Sequence, residues 1–226
     1  MKSLFLYEEI MLLALRDEEG TFSGGFVELA VAGAVMAELL LENHVYVAEP
    51  RRKLIDHNDP PPTGDPIIDE CLEKITSAKR RAALSNWVPR LSRIPKLRKK
   101  VAQRLCERGI VKSDEDKVLF VFPRTIYPEI DPEPEEEIMS RIKSAIFGND
   151  TDLDPRTVIL ISLAHRTDLL RHNLDDKELR KHKKRIEQII EGEAMGKAAR
   201  DIIDAFDSAA TVTALIPALI ATTAGS

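Results

Sequence analysis

An almost wholly apolar stretch of 16 residues, Phe26 to Leu41, constrains the fold of this chain most, because only Glu28 and Glu38 interrupt it. The stretch is too short and too charged for a membrane-spanning helix, which needs about 20 apolar residues. A helix that is apolar on nearly all sides is buried in a protein core. The sequence therefore predicts a central core helix with the rest of the chain packed around it.

Helical patterns dominate on both sides of this stretch. Apolar spacing predicts a first helix over Leu4–Leu15, with Glu8 and Glu9 on its solvent face. Asp65 is placed to cap a helix that starts at Pro66, and Gly109 is placed to stop a helix that Pro95 opens. Further helices are predicted at residues 133–147, 158–170, 175–190 and 195–206.

Strand patterns are few. His44–Val47 alternates and predicts a short strand. Ile110–Val111 and Val118–Phe122 predict the two strands of a hairpin, with Ser113–Asp116 as its turn. The predicted fold class is mainly α: a compact helical domain around a buried central helix, with one small β-hairpin. We expect one domain over residues 1–226. The apolar tail, 209–226, is open to three interpretations: a final core helix, a membrane-contacting segment or a frayed end.

Signatures of enzymes and of bound metals are absent from the sequence. It contains no glycine-rich nucleotide motif, no HExxH and no GxSxG. Cys71 and Cys106 are too few for a disulfide framework or a zinc site, which indicates a reducing compartment. The first 15 residues lack the features of a secretory signal. We therefore expect no enzyme, no cofactor and no metal; an enzyme acting on a phosphorylated small molecule is kept as a minor alternative.

A basic block is the feature that most clearly indicates a function. Between Lys79 and Lys112 lie 12 Lys or Arg residues and one acid, Glu107, so the block carries +11 within a chain of net charge −5. Helices exposed to solvent usually mix both signs of charge. A basic block in an acidic chain predicts a local anion site rather than general nucleic-acid binding. The block also lacks the aromatic residues that stack on bases.

Six short segments, taken in order, resemble the Golgi phosphoprotein 3 family. The resemblance runs from about Leu6 to about Phe206, and the ordered set is more specific than any one segment. The segments are Glu9–Gly20, Gly33–Leu41, Arg51–Lys53, Pro62–Asp65, Asn86–Trp87 with Arg98–Val111, and Ile161–His165.

This resemblance implies a function as well as a fold. It implies a peripheral membrane protein without catalytic activity, cytoplasmic and reversibly membrane-associated, at the Golgi membrane in a eukaryote. The implied partners are anionic phospholipid, namely phosphatidylinositol 4-phosphate, and the cytosolic tails of membrane proteins. The family hairpin implies self-association into a homo-oligomer, here through Val118, Phe120 and Phe122.

The family resemblance also implies where a lipid headgroup would bind. The family pocket uses a tryptophan, an arginine on the central helix and two basic residues on a later helix. This sequence has Ser23 and Ala32 at the first two positions, Pro95 at one of the later positions and Arg98 at the other. We expect Arg98 to bind the headgroup with Arg93, Lys96, Lys99 and Ser23 around it. The alternative is an adaptor that binds proteins without lipid, through its acidic surface and the hairpin.

Overall fold

A computed structural model describes residues 3–15, 26–49, 54–118 and 122–191. Within these ranges, ten helices and two small antiparallel sheets form, so the chain is mainly α as predicted. The helices are α1 (Leu6–Ala14), α2 (Val27–Leu41), α3 (Pro66–Thr76), α4 (Leu84–Leu91), α5 (Leu97–Glu107), α6 (Glu133–Phe147), α7 (Pro155–Arg166), α8 (Leu169–Asn173), α9 (Asp176–Lys181) and α10 (Lys183–Ile190). The strands are β1 (Val45–Glu49), β2 (Leu54–His57), β3 (Ala82–Ala83), β4 (Asp114–Val118) and β5 (Phe122–Ile126).

Helix α2 is the centre of the fold. Every residue of it except Glu28 and Leu41 is buried. Helices α1, α3, α4, α5 and α7 pack around it, together with β1. One hydrophobic cluster runs from Leu6 in α1 to Ile189 in α10. The prediction of a buried central helix is confirmed.

Local signals set several helix ends as the sequence predicts. The Asp65 side chain accepts hydrogen bonds from the N–H groups of Ile67 and Ile68, both at 3.0 Å, and caps α3. Helix α5 ends at Glu107, and Gly109 follows with a φ of 75°. That left-handed conformation is open to glycine without a Cβ clash, so the helix stops there.

Two predicted helices are divided in the structure. The one predicted over 158–170 ends at Arg166 in α7, because Asp168 takes a left-handed conformation with a φ of 65° before α8 begins. The one predicted over 175–190 is divided at His182 into α9 and α10. The helix predicted at 195–206 and the tail at 209–226 lie outside the described residues.

The hairpin exists, but its predicted turn is wrong. Strand β4 pairs antiparallel with β5 from Asp114 opposite Ile126 to Val118 opposite Phe122. Ser113–Asp116 is therefore not the turn, because residues 114–116 lie in the first strand. The predicted strand at Ile110–Val111 lies next to residues 129–131 instead, through a bridge between Val111 and Glu129. Asp114 and Glu115 are exposed, so no buried face fixed the register in the sequence.

The predicted solvent face of α1 is also wrong, because Glu8 and Glu9 are buried. Each carboxylate meets an arginine from a distant helix. Arg108, just after α5, donates to Glu8 at 2.7 Å, and Arg141 in α6 donates to Glu9 at 2.6 Å. Burial raises the pKa of both glutamates, and the arginines offset only part of that effect. Buried charges of this kind are tolerated because they are paired.

Candidate anion-binding surface

The start of helix α5 is unusually basic. Leu97, Val101, Ala102 and Leu105 face the core. The remaining positions hold four cations of the basic block, together with Gln103, Cys106 and Glu107. Lys96 stands at the N-cap in a left-handed conformation with a φ of 59°, and no side chain caps the helix there. The first turn contains no acidic residue. Because helix N-termini carry partial positive charge, this end of α5 favours an anion.

About half of the basic block is neutralised by the chain's own carboxylates. Arg98 donates to Glu28 at 2.6 Å and Lys100 to Glu70 at 2.5 Å. Arg104 lies 3.4 Å from Asp65 and 3.1 Å from Glu107. Arg81, Arg108 and Lys112 are paired with Asp56, Glu8 and Asp114. The charges of these six cations are therefore compensated within the chain.

A second set of cations stands exposed at the connection from α4 to α5. Arg90, Arg93, Lys96 and Lys99 are exposed, and none forms an ion pair with a carboxylate of the described residues. We call these four residues the α4–α5 corner. Like charges this close repel one another, and an external anion would relieve that repulsion. The corner, together with the exposed Lys79 and Arg80, is the part of the basic block that has no carboxylate partner among the described residues.

Tight backbone turns and a buried ring position the corner. Between the helices, the N–H of Arg93 donates to the carbonyl of Arg90 and the N–H of Leu97 to that of Ile94. The Arg90 guanidinium lies 5.2 Å from the centroid of the Trp87 ring, which is 4% exposed. This cation–π contact orients Arg90 without removing its charge.

The expected binding residues are thus in different states. Arg93, Lys96 and Lys99 are exposed in the corner, whereas Arg98 is half-buried and paired with Glu28. Ala32 is fully buried in α2. Ser23 and Phe120 lie outside the described residues, and Val118 and Phe122 are paired in the hairpin.

Sequence reasoning missed Glu28. It is one of two acids in the apolar stretch of α2, and that isolation was the available signal. The Arg98–Glu28 pair brings the first turn of α5 to the first turn of α2. An acid at the N-terminus of α2 is also favoured by that helix's own dipole.

Two cavities flank the segment Ser3–Leu4, with volumes of about 370 and 470 Å³. Arg156 borders both. The first is also lined by Arg108 and Arg141, but Glu8, Glu9 and Glu38 already pair with these three arginines. The cavities therefore offer an anion no unpaired arginine comparable to the corner.

Two absences within the described part of the chain bear on function. No group of three or more His, Cys, Asp or Glu side chains in these residues is arranged to hold a metal ion. None of the described helices is long and apolar enough to cross a bilayer.

Comparisons with known proteins identify the family of the chain. A family model described as Golgi phosphoprotein 3 (GPP34) matches residues 6–206. The chain therefore belongs to the Golgi phosphoprotein 3 family, which in general comprises Golgi-associated, phosphoinositide-binding adaptors. The chain is also similar to the Vacuolar protein sorting-associated protein 74 of Eremothecium gossypii, with 27% identity over 202 residues. That match covers 74% of this chain and 60% of the relative, so the chain spans less than two thirds of the relative's length.

Proposed function

We propose that this protein is a peripheral membrane protein that binds anionic phospholipid headgroups through the α4–α5 corner. The observation that carries the proposal is the division of the basic block. Arg93, Lys96 and Lys99 stand exposed without a carboxylate partner, while their neighbours on α5 are paired internally. Each Lys or Arg near an anionic bilayer contributes about 1 kcal/mol. The four cations of the α4–α5 corner would therefore give reversible rather than permanent attachment to a membrane.

Family membership supports the same proposal and suggests the lipid. By analogy with the family, the headgroup would be that of phosphatidylinositol 4-phosphate, whose phosphomonoester can accept several hydrogen bonds from Arg and Lys. The protein would be cytoplasmic, associate reversibly with membranes, and act as an adaptor for the cytosolic tails of membrane proteins. In this proposal the protein is an adaptor and not an enzyme.

Liposome co-sedimentation tests the proposal directly. Vesicles of phosphatidylcholine are compared with vesicles that also contain phosphatidylserine or phosphatidylinositol 4-phosphate, at two salt concentrations. We expect binding that requires anionic lipid and weakens with salt, because salt screens exposed charges. Binding that ignores lipid charge would contradict the proposal.

A triple variant locates the binding surface. Arg93→Glu, Lys96→Glu and Lys99→Glu together should lower binding by more than about tenfold, given the contribution of each cation near a bilayer. The matched control is Lys177→Glu, Lys183→Glu and Lys184→Glu, which changes net charge equally on exposed positions of α9 and α10. Equal losses in the two variants would mean that net charge alone, and not the corner, drives binding.

The hairpin supports a second candidate function, self-association or protein binding without lipid. Strands β4 and β5 form a two-stranded sheet, and each has an outer edge that no other described strand covers. Open strand edges can pair with another chain. We propose the region of Val118, Phe120 and Phe122 as the contact between copies. Light scattering measures the mass of the wild type and of Val118→Lys in solution. If the wild type forms an oligomer and Val118→Lys has the same mass, the hairpin is not the contact between copies.

A further inference from the structure

Glu28 occupies the place where an external anion would meet Arg98. Its Oε2 accepts from Arg98 Nη2 at 2.6 Å, and both side chains are about one third exposed, 36% for Glu28 and 29% for Arg98. The pair is thus at the surface rather than sealed in the core. It lies at the first turn of α5, which has no acid of its own. A carboxylate from α2 supplies the negative charge that this helix end lacks.

We infer that Glu28 is a built-in competitor for the anion site and sets its selectivity among headgroups. The inference rests on the proposed function, because it concerns the ligand of the same surface. A ligand that uses Arg98 must displace a carboxylate of one negative charge. A phosphodiester headgroup also carries one charge, whereas a phosphomonoester carries about 1.5 to 2 at neutral pH. Only the phosphomonoester has the electrostatic advantage over Glu28.

The cations of this surface are of two kinds, those without a carboxylate partner and Arg98, which has one. Arg93, Lys96 and Lys99 are open to any anionic surface, so they attract vesicles of every anionic composition. Arg98 is the arginine of the first turn, and an arginine can meet a phosphate through two parallel hydrogen bonds. Engaging it costs the bond to Glu28. The three exposed cations therefore attract any anionic membrane, and Arg98, which is paired with Glu28, distinguishes a phosphomonoester from a phosphodiester headgroup.

The test compares two vesicle compositions at equal surface charge. One contains phosphatidylglycerol, a phosphodiester, and the other phosphatidic acid, a phosphomonoester. The wild type should prefer phosphatidic acid. Glu28→Gln should raise binding to phosphatidylglycerol vesicles about fivefold, which is the effect of one charge near the bilayer. Its preference for phosphatidic acid over phosphatidylglycerol should therefore be smaller than that of the wild type. Glu28→Ala is a second variant with the same expectation.

Controls keep this test separate from the test of the proposed function. Glu187→Gln removes the same charge from the Lys183–Glu187 pair on α10, and its binding should equal that of the wild type. If Glu28→Gln and the wild type bind alike, while the corner triple variant loses binding, the proposed function stands and this inference is overturned. An equal gain in Glu187→Gln also overturns it. If no protein binds either vesicle, the proposed function fails, and this inference with it.

An arm without lipid distinguishes the source of the phosphate. Inorganic phosphate is titrated into the wild type and into Glu28→Gln by calorimetry. We expect much weaker binding than to vesicles, because a free ion does not contact all the cations of the corner at once. Phosphate binding as strong as vesicle binding would assign the site to a soluble phosphate and overturn the inference for lipid.

Discussion

The guanidinium of Arg156 in α7 donates to both carboxylate oxygens of Glu38 in α2, at 2.8 and 2.7 Å. Glu38 is 2% exposed, and its Oε1 also accepts from the N–H of Leu6. Arg156 donates in addition to the carbonyl of Leu4 at 3.1 Å. One ion pair therefore joins the central helix, α7 and the chain that enters α1.

Arg156→Ala should destabilise the protein by about 3 to 5 kcal/mol, because it leaves the buried carboxylate of Glu38 without its partner. Urea unfolding followed by circular dichroism measures the change. Arg180→Ala is the control: it breaks a pair with Asp176 in which the side chains are 67% and 40% exposed. Such pairs contribute less than about 1 kcal/mol. Similar losses in the two variants would contradict the structural role of the Arg156–Glu38 pair.

Stability should depend on pH through Glu9, whose pKa burial raises. The folded protein then holds this proton at a higher pH than the unfolded chain does. The stability gained from protonation is complete below the unfolded value of about 4.3 and is lost as pH rises through the folded pKa. Glu9→Gln cannot titrate. As pH rises above about 4.3, the free energy of unfolding of the wild type should therefore fall relative to that of Glu9→Gln, until Glu9 is ionised in the folded protein.

The check on this prediction is a series of urea unfolding curves at several pH values. Glu187→Gln, at a carboxylate that is 51% exposed, is the matched control for the loss of one carboxylate at the surface. A difference between wild type and Glu9→Gln that does not change with pH would show that Glu9 titrates normally in the fold.

The buried pair of Tyr7 and Asp65 predicts an ordered set of stability losses. The Tyr7 hydroxyl donates to Asp65 Oδ2 at 2.8 Å, while Oδ1 caps α3. Tyr7→Phe removes one hydrogen bond and should cost about 1 kcal/mol. Asp65→Ala removes the cap of α3 and also leaves the buried Tyr7 hydroxyl without its acceptor, so it should lower the free energy of unfolding by about 2 to 4 kcal/mol.

Asp175→Ala isolates the capping effect for comparison. Asp175 caps α9 in the same way, accepting from the N–H groups of Lys177 and Glu178, but at an exposed site. Its removal should cost about 1 kcal/mol. Thermal unfolding of the three variants measures the series. A loss for Asp65→Ala no larger than that for Asp175→Ala would mean that the bond to Tyr7 adds nothing.

The left-handed backbone of Lys96 allows its charge and its conformation to be separated. Lys96→Gly should leave stability within about 1 kcal/mol of the wild type, because glycine adopts this conformation without strain. Lys99→Gly, inside the first turn of α5, should lose about 1 kcal/mol. Both variants lose one exposed cation and should weaken binding to anionic vesicles to a similar degree. Melting temperatures measure the stability of the two variants, and vesicle sedimentation measures their binding. If Lys96→Gly were less stable than Lys99→Gly, the argument from the left-handed backbone of Lys96 would be contradicted.

Features determined by neighbouring residues could be predicted from the sequence. The Asp65-Pro66 start of α3 and the Gly109 stop of α5 depend on a few adjacent groups, and the apolar stretch of α2 fixes the centre of the fold. The same reasoning located the basic block. It could not show which cations remain available, because that depends on which acids fold against them.

Features that depend on distant partners could not be predicted. Glu8 and Glu9 have the charge of a solvent face, and their burial is compensated by Arg108 and Arg141, which lie 100 and 132 residues away. Glu28 meets Arg98 across 70 residues. The hairpin register was predicted wrongly for a different reason, since β4 begins with the exposed acids Asp114 and Glu115 and offers no apolar alternation there.

Three of the buried carboxylates, Glu8, Glu9 and Glu38, also constrain the order in which a newly made chain can fold. Glu8, Glu9 and Glu38 leave the ribosome long before Arg108, Arg141 and Arg156, with separations of 100, 132 and 118 residues. Until those arginines emerge, burying α1 against α2 would bury acids without counterions. Contacts of such long range make folding slow and late. A nascent chain that stops before Arg156 thus leaves the apolar helix α2 exposed. Exposed apolar surface of this kind is what chaperones bind and what starts aggregation.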